Sequence, residues 1–423
     1  MASIHNYQSF NNSVKFQGAS IMEFTIHTQI LMLVFGIAAV MGAVANKTNF
    51  CTMGAVSDWV NMSDTGRIRA WLLAIAVALA GLLLLEATGI VALPSDTFPP
   101  YRTANFSWLR YVLGGFLFGI GMTLGSGCGN KTFVRIGGGN LKSLVLLVLF
   151  AAPAAYLMLW GSIGEQGFFD TVFNSWIQPT AISLQNHGIQ SQELGGIVGG
   201  ILGMQDTAAL HLIVGALAVL ALLAFIFKSG EFRSNFDNIL GGAVIGLAVV
   251  AGWWISGGSL GKEWLDWAQL EPEAPSRVAV QSYTFISPMG DAARYALQPK
   301  NLLLVNFGIM ALVGVIAGSF LYSILTRKFH IEWFANFKDF LAHAAGGVLM
   351  GTGGVLSMGC TIGQGVTGVS TLALGSIFTL IAIVFGSALT MKVQYYLLDE
   401  KGFACALHHG LADMKLMPKP KAA

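Results

Sequence analysis

Three cysteines stand in glycine-rich surroundings: Cys51 in NFCTMGA, Cys128 in GSGCGNKT and Cys360 in SMGCTIGQG. A thiol is a weak donor and a soft acceptor, and its thiolate is a nucleophile or soft ligand. Such a group suits a polarisable sulfur-bearing anion better than a hard one such as sulfate. Cys405, the last of the 4 cysteines, lies near the C-terminus outside such a context and reads as unrelated. No CxxC pair and no CxxC…HxxxH spacing occurs, so no structural zinc, iron–sulfur cluster or disulfide framework is expected. Neither a metal nor a cofactor is predicted.

These residues need elements to hold them. Of 423 residues, 54% are hydrophobic and 10% charged, against about 25% charged in a soluble domain. Nine long apolar segments follow, at roughly 26–46, 70–92, 111–127, 143–163, 206–227, 238–257, 301–326, 341–358 and 371–398. Each is near the length that crosses a bilayer. The chain therefore reads as an all-α integral membrane protein of about nine transmembrane helices, with the lipid bilayer as its surroundings. The net charge of +2 is small and spread along the chain, and no nucleic-acid partner is expected. Basic residues follow the odd-numbered segments: Arg67 and Arg69, Lys131, Arg135 and Lys142, Lys228 and Arg233, Arg327, Lys328 and Lys338, then Lys401, Lys415, Lys419 and Lys421. The positive-inside rule then puts the N-terminus outside and the C-terminus inside. Residues 1–24 form an N-terminal extension and do not read as a cleaved signal peptide. The membrane domain divides into 25–205, ending in an outer loop at 164–205, and 206–398, containing an outer loop at 258–300. Residues 399–423 are a cytoplasmic tail.

Glycine costs about 1 kcal/mol per residue in a helix interior. The clusters at 125–132 and 357–368 thus predict that the helix unwinds and turns back as a short re-entrant helix. Irregular backbone at membrane depth survives only inside protein or beside a cavity, so the breaks mark a solute path. The free amides of a re-entrant helix favour an anion there. The path candidates are Cys51, Cys128, Cys360, Gly127, Gly129, Gly359 and Thr361. Lys47 and Lys131, in Asn46-Lys47-Thr48 and Asn130-Lys131-Thr132, are candidates for guiding an anion at the inner exit. The bland alternative is that they only obey the charge rule.

An internal repeat sharpens this reading. LGGFLFGIGMTLGSGC (113–128) overlays AGGVLMGTGGVLSMGC (345–360), so that Gly114, Gly115, Gly119, Gly121, Gly127 and Cys128 meet Gly346, Gly347, Gly351, Gly353, Gly359 and Cys360. MGAVANKTNFC (41–51) is a weaker copy ending on Cys51. LGGAVIGLAVV (240–250) is a fourth, whose cysteine position falls on Ile255. The span count sets the two halves in opposite directions, as inverted repeats with a site near the midplane. Close packing alone explains the glycine pairs. It does not explain three cysteines at one repeat position.

Glu86, His343 and Lys392 sit within or beside apolar spans, where ionisable groups are costly. Pairing or snorkelling accounts for them as readily as function does. No P-loop and no Ser/His/Asp spacing is present, so an enzyme is not expected.

NFCTMGAVSDWVNMSDTGRIRAW (49–71), GSGCGNKTFVRIGGGN (125–140) and MGCTIGQGVTGVSTLALGS (358–376) resemble the cysteine motifs of the YeeE/YedE family of sulfur transport proteins. The resemblance runs from about residue 30 to 398. It implies an hourglass-like helical bundle in the bacterial inner membrane, with inverted halves and short helices dipping in from both sides. It implies that Cys51, Cys128 and Cys360 pass thiosulfate by weak thiol contacts, in concert with a cytoplasmic TusA-like sulfur carrier protein. The chain departs from compact thiosulfate transporters in its N-terminal stretch and large outer loops. Two alternatives stand beside thiosulfate uptake: transport of a selenium compound, and a membrane thiol or persulfide sulfur-transfer role.

Overall fold

Apolar runs without charge fold as helices because, in hydrocarbon, backbone polar groups must bond within the segment. The computed structural model describes residues 25–93, 97–204, 207–399 and 402–418. The N-terminal extension and the tail residues Lys401, Lys419 and Lys421 lie outside them. In chain order the helices are α1 (Ile26–Lys47), α2 (Thr52–Ser57), α3 (Gly66–Ala87), α4 (Trp108–Leu124), α5 (Gly129–Gly137), α6 (Leu141–Val145), α7 (Ala152–Trp160), α8 (Ser175–Ile177) and α9 (Leu194–Ile201). They continue with α10 (Ala208–Phe227), α11 (Gly230–Ser234), α12 (Phe236–Gly257), α13 (Ser259–Leu270), α14 (Ile286–Leu297), α15 (Phe307–Leu325), α16 (Phe337–Leu356), α17 (Leu374–Leu398) and α18 (Phe403–Asp413). A π-helical turn at Leu146–Ala151 joins α6 to α7, and a π-helical segment, Thr361–Gly368, precedes α17. Strands are reduced to two-residue pairs, such as Asn105–Phe106 with Ile182–Ser183.

Among the described residues, 9 helical spans are long and apolar enough to cross a membrane. The chain is an all-α membrane protein, and the spans fall where the apolar segments predict.

The packing has a regular plan. α1 lies along α15, and α12 along α3. α4 packs on α17, and α16 on α7. α5 rests on α15 and α1, and the π-helical segment on α3 and α12. α2 touches α3 and α17, and α14 touches α15 and α7. One exchange (α1 with α12, α2 with α14, α3 with α15, α4 with α16, α5 with the π-helical segment, α7 with α17) turns the first contact of each pair into the second. α4 against α16 and α1 against α12 are the contacts that map onto themselves. Glycine makes the α4–α16 crossing this close: a Cβ on Gly121 would lie 2.7 Å from Met350 N, and one on Gly346 2.6 Å from Gly125 N. α10 has no counterpart. It packs on α3 and α9 and leaves most of its surface outward.

Two sequence expectations shift. Residues 258–300, read as an outer loop, contribute α14, whose Ile286–Asp291 stretch is wholly buried. Ile255, the expected fourth cysteine equivalent, is an interior residue of α12. The short helix with packing equivalent to α2 is α14, and the residue that precedes it is Phe285.

Candidate functional site

The three cysteines share one backbone design. α1, α4 and α16 each end in a residue of left-handed conformation, Asn49 (φ 51°), Ser126 (φ 59°) and Met358 (φ 61°). The next amide then reaches back into the finished helix: Phe50 N–H to Ala45 O (3.1 Å), Gly127 N–H to Met122 O (2.9 Å) and Gly359 N–H to Gly354 O (2.8 Å). This is the Schellman ending, which satisfies terminal carbonyls and turns the chain sharply. The cysteine follows at once, with extended backbone, as the N-cap of the next short helix. Gly54 N–H donates to Cys51 Sγ (3.5 Å), and Gly363 N–H to Cys360 Sγ (3.4 Å). Each thiol therefore sits where one helix stops and the unpaired amides of another begin.

Folding brings the three together. The Cys51 and Cys128 thiols are near neighbours, and Thr361 is close to the Cys128 sulfur. Thr52 Oγ1 donates to Cys128 Sγ at 3.8 Å. All three cysteines are free and buried, at 6%, 2% and 0% exposure for Cys51, Cys128 and Cys360.

The local electrostatics favour an anion. Arg110 donates to the terminal carbonyls of α16, Nε to Leu356 O (2.6 Å) and Nη2 to Val355 O (3.3 Å). Arg135 Nη1 donates to Ser126 O (2.7 Å). The negative helix ends at these junctions are thus neutralised, while the positive amide ends of the short helices stay turned to the thiols. Lys131 is half-buried near Cys51 and Cys128, and its ammonium donates to Asn49 Oδ1. Lys47 makes an exposed ion pair with Asp237 (3.6 Å). Asp237 and Asn238 line a small pocket with Cys51 and Arg67. Its volume, about 10 Å³, holds roughly one water. Arg67 is held by both carboxylate oxygens of buried Asp58.

Gly129 and Gly359 are spacers. A Cβ on Gly129 would lie 3.3 Å from Met289 and 3.4 Å from Ile286 of α14, and one on Gly359 would lie 3.1 Å from Gln364. Gly127 faces the Lys131 stem, 3.2 Å from the same construction. Phe285 meets Phe133 of α5, ring centroids 5.6 Å apart, and Ile286 lies against Gly354 of α16.

Buried polar atoms without a directed hydrogen bond also gather here: Trp71 Nε1, Asn130 Oδ1, Thr284 Oγ1 and Thr361 Oγ1. Leaving such a group unpaired costs about 1–3 kcal/mol. Thr284 carries no sequence signal, and Trp71 closes the 49–71 motif without being marked out in it, since orphaned hydrogen bonding exists only in three dimensions.

A family profile described as Sulphur transport matches residues 47–389 of this chain. The chain belongs to this sulphur transport family, known also as YeeE/YedE. Two relatives carry the name "Thiosulfate transporter TsuA". The one from Escherichia coli strain K12 is 25% identical over 331 residues, covering 77% of this chain and 84% of that protein. The one from Spirochaeta thermophila is 24% identical over 354 residues, covering 82% and 93% respectively.

The remaining candidates lie apart from the thiols of this family member. Glu86 pairs with Arg102 through two bonds (2.6 and 3.1 Å) and with His211 Nε2 (2.9 Å). His211 Nδ1 faces Glu193 Oε1 (2.9 Å). Glu193 caps α9, accepting from Gly195 N–H (2.6 Å) and Gly196 N–H (2.8 Å). His343 is buried against Asp339 of its own helix (3.0 Å). Lys392 is half-buried beneath α18. Cys405 is exposed on α18, 3.4 Å from His409 Nδ1.

Proposed function

We propose that this chain is an inner-membrane transporter that takes up thiosulfate or a related small sulfur anion, handed along Cys360, Cys128 and Cys51. The observation that carries the reading is that three buried thiols, each at the amide end of a short helix, lie inside the bundle, with Cys51 and Cys128 near neighbours. Soft sulfur and positive helix ends suit an anion that ends in a sulfane sulfur. The names of the two relatives support thiosulfate as the solute. The exchange of packing partners supports inverted halves. α1 is the first span and α12 the sixth, so the five crossings from one to the other reverse their direction. The short helices then dip in from opposite faces. Basic residues near Lys47 support that face as cytoplasmic, with the pocket at Cys51 and Arg67 and the nearby Lys131 at the inner exit and a TusA-like carrier as the acceptor.

Uptake of labelled thiosulfate by cells lacking their own sulfate and thiosulfate uptake tests this. The wild type restores uptake, and Cys128→Ala lowers it at least tenfold with the protein still present in the membrane. Normal uptake by Cys128→Ala would remove the thiol path. The nearness of Cys51 and Cys128 also favours a second reading, sulfur transfer. There a thiolate takes the sulfane sulfur of thiosulfate, sulfite leaves with the electron pair of the broken S–S bond, and a persulfide stays on the cysteine. Intact-mass measurement after exposure to thiosulfate separates the two: added sulfur means transfer, and unmodified cysteines mean passage.

A further inference from the structure

We propose that Trp71, Thr284 and Thr361, with Asn130, are the groups that read the oxygen end of the solute, so that the site selects an anion with a soft sulfur at one end and an oxyanion at the other. This deepens the thiosulfate reading and rests on it.

Five buried side-chain atoms among the described residues lack both a directed hydrogen bond and an ion-pair partner, and four of them belong to these residues; the fifth is His343 Nε2. Their residues are 5%, 5%, 0% and 1% exposed for Trp71, Thr284, Thr361 and Asn130. Each is tied to a thiol junction. Thr361 follows Cys360 and sits beside the Cys128 sulfur. Thr284 packs its hydroxyl against Gly363, whose amide binds Cys360 Sγ. The benzo edge of Trp71, at the end of the ring away from its N–H, covers Gly365 of the same π-helical segment, 2.9 Å from where a Cβ would stand. Trp71 also stacks on Phe50, the residue before Cys51, with centroids 5.6 Å apart. Asn130 is the second residue of the helix that Cys128 caps.

The chemistry of the set is one-sided. An indole N–H only donates, and two hydroxyls free of other bonds donate readily. The Asn130 amide offers its nitrogen after a half-turn that leaves its shape unchanged. Three or four donors on residues that adjoin the thiol junctions match the two ends of thiosulfate: oxygens to the donors, terminal sulfur to the thiols. Sulfate offers no soft end and hydrosulfide no oxygens, so each satisfies half the site. Groups that lack a directed hydrogen bond within the protein become paired when such an anion binds.

The test uses the full-length purified protein in detergent. Dissociation constants for thiosulfate, sulfate and hydrosulfide come from ligand-induced shifts in melting temperature. Wild type binds thiosulfate at least tenfold more tightly than either of the others. Thr361→Val and Trp71→Phe weaken thiosulfate at least tenfold and leave hydrosulfide within twofold, while Thr361→Ser restores thiosulfate. Thr361→Val removes an unpaired hydroxyl at constant shape, so the ligand-free protein melts at the same or a higher temperature, which separates lost recognition from lost folding. Wild-type thiosulfate affinity in Thr361→Val and Trp71→Phe overturns this inference and leaves thiosulfate transport standing. If another oxyanion binds and the variants weaken it, the donor role stands and thiosulfate falls. Binding of none of the three anions by wild type overturns both.

Discussion

Two polar regions of this bundle meet burial in opposite ways. Around Glu86, four charged or ionisable side chains from separate segments close on each other: Arg102 on Glu86, and His211 between Glu86 and Glu193. Both imidazole nitrogens face carboxylates at 2.9 Å, and only the imidazolium has an N–H for each. Around the cysteines, besides Lys131 and the arginines at the helix ends, neutral polar groups are buried, and several lack a directed hydrogen bond. A buried charge without a partner is intolerable, whereas a lone hydroxyl or indole costs little enough to persist. The ion cluster is a finished fastening. Arg102 Nε also donates to Thr371 O (3.1 Å), and Leu194 N–H to Leu372 O (3.0 Å), which pins the turn between the π-helical segment and α17. The thiol region instead leaves several buried polar atoms without a directed hydrogen bond.

The sharpest way to break this contrast is to unpair the cluster. Glu86 and Arg102 side chains are each 14% exposed. Removing one partner of a pair this buried costs about 3–5 kcal/mol. Arg102→Gln is therefore expected to lower the melting temperature strongly, and Glu86→Gln with Arg102→Gln to recover most of the loss. A mild Arg102→Gln would mean that the cluster is not a fastening.

The thiol side is held by backbone contact instead. Gly121→Ala and Gly346→Ala each push a methyl into the facing helix at the α4–α16 crossing, within 2.8 Å of carbonyl oxygens Gly346 O and Gly121 O respectively. Overpacking of this kind costs about 1–3 kcal/mol. Matching losses in melting temperature are expected for the two, because they sit opposite each other. A loss in one alone would break the equivalence of the two helices.

What could be read beforehand follows the same division. The spans were legible because apolar runs admit one backbone solution in lipid, and the junctions at Cys128 and Cys360 because glycines and cysteines recur together. Phe285 was not, since α13 intervenes between α12 and α14 and neither glycine pattern nor cysteine marks the spot; aligning by residue type lands on Ile255. Lys47 was legible as a charge near Cys51, but its partner Asp237 belongs to α12, far off in sequence. Glu86 was legible as a costly residue. That Arg102, His211 and Glu193 surround it depends on how α9 and α10 fold over α3. Trp71 and Thr284 looked like ordinary core residues, because the missing partner is what distinguishes them.

The smallest effect probes the edge of the ion cluster by acid. Burial alone would raise the Glu193 carboxyl. The His211 contact and the amides of Gly195 and Gly196 outweigh burial and hold it below the ordinary carboxylate value. A group depressed in the folded state adds stability above its unfolded pKa, about 4.3 for glutamate, and loses it as pH falls through the folded value. Glu193→Gln keeps the shape and one acceptor but not the charge. At neutral pH it is expected to cost about 1 kcal/mol, the worth of a carboxylate at a helix N-terminus. Melting curves of wild type and Glu193→Gln should then converge as pH is lowered below the unfolded value, because wild-type Glu193 becomes as neutral as the glutamine. A gap that stays constant with pH would show that the side chain works by shape, and that the cluster ends at Glu86 and His211.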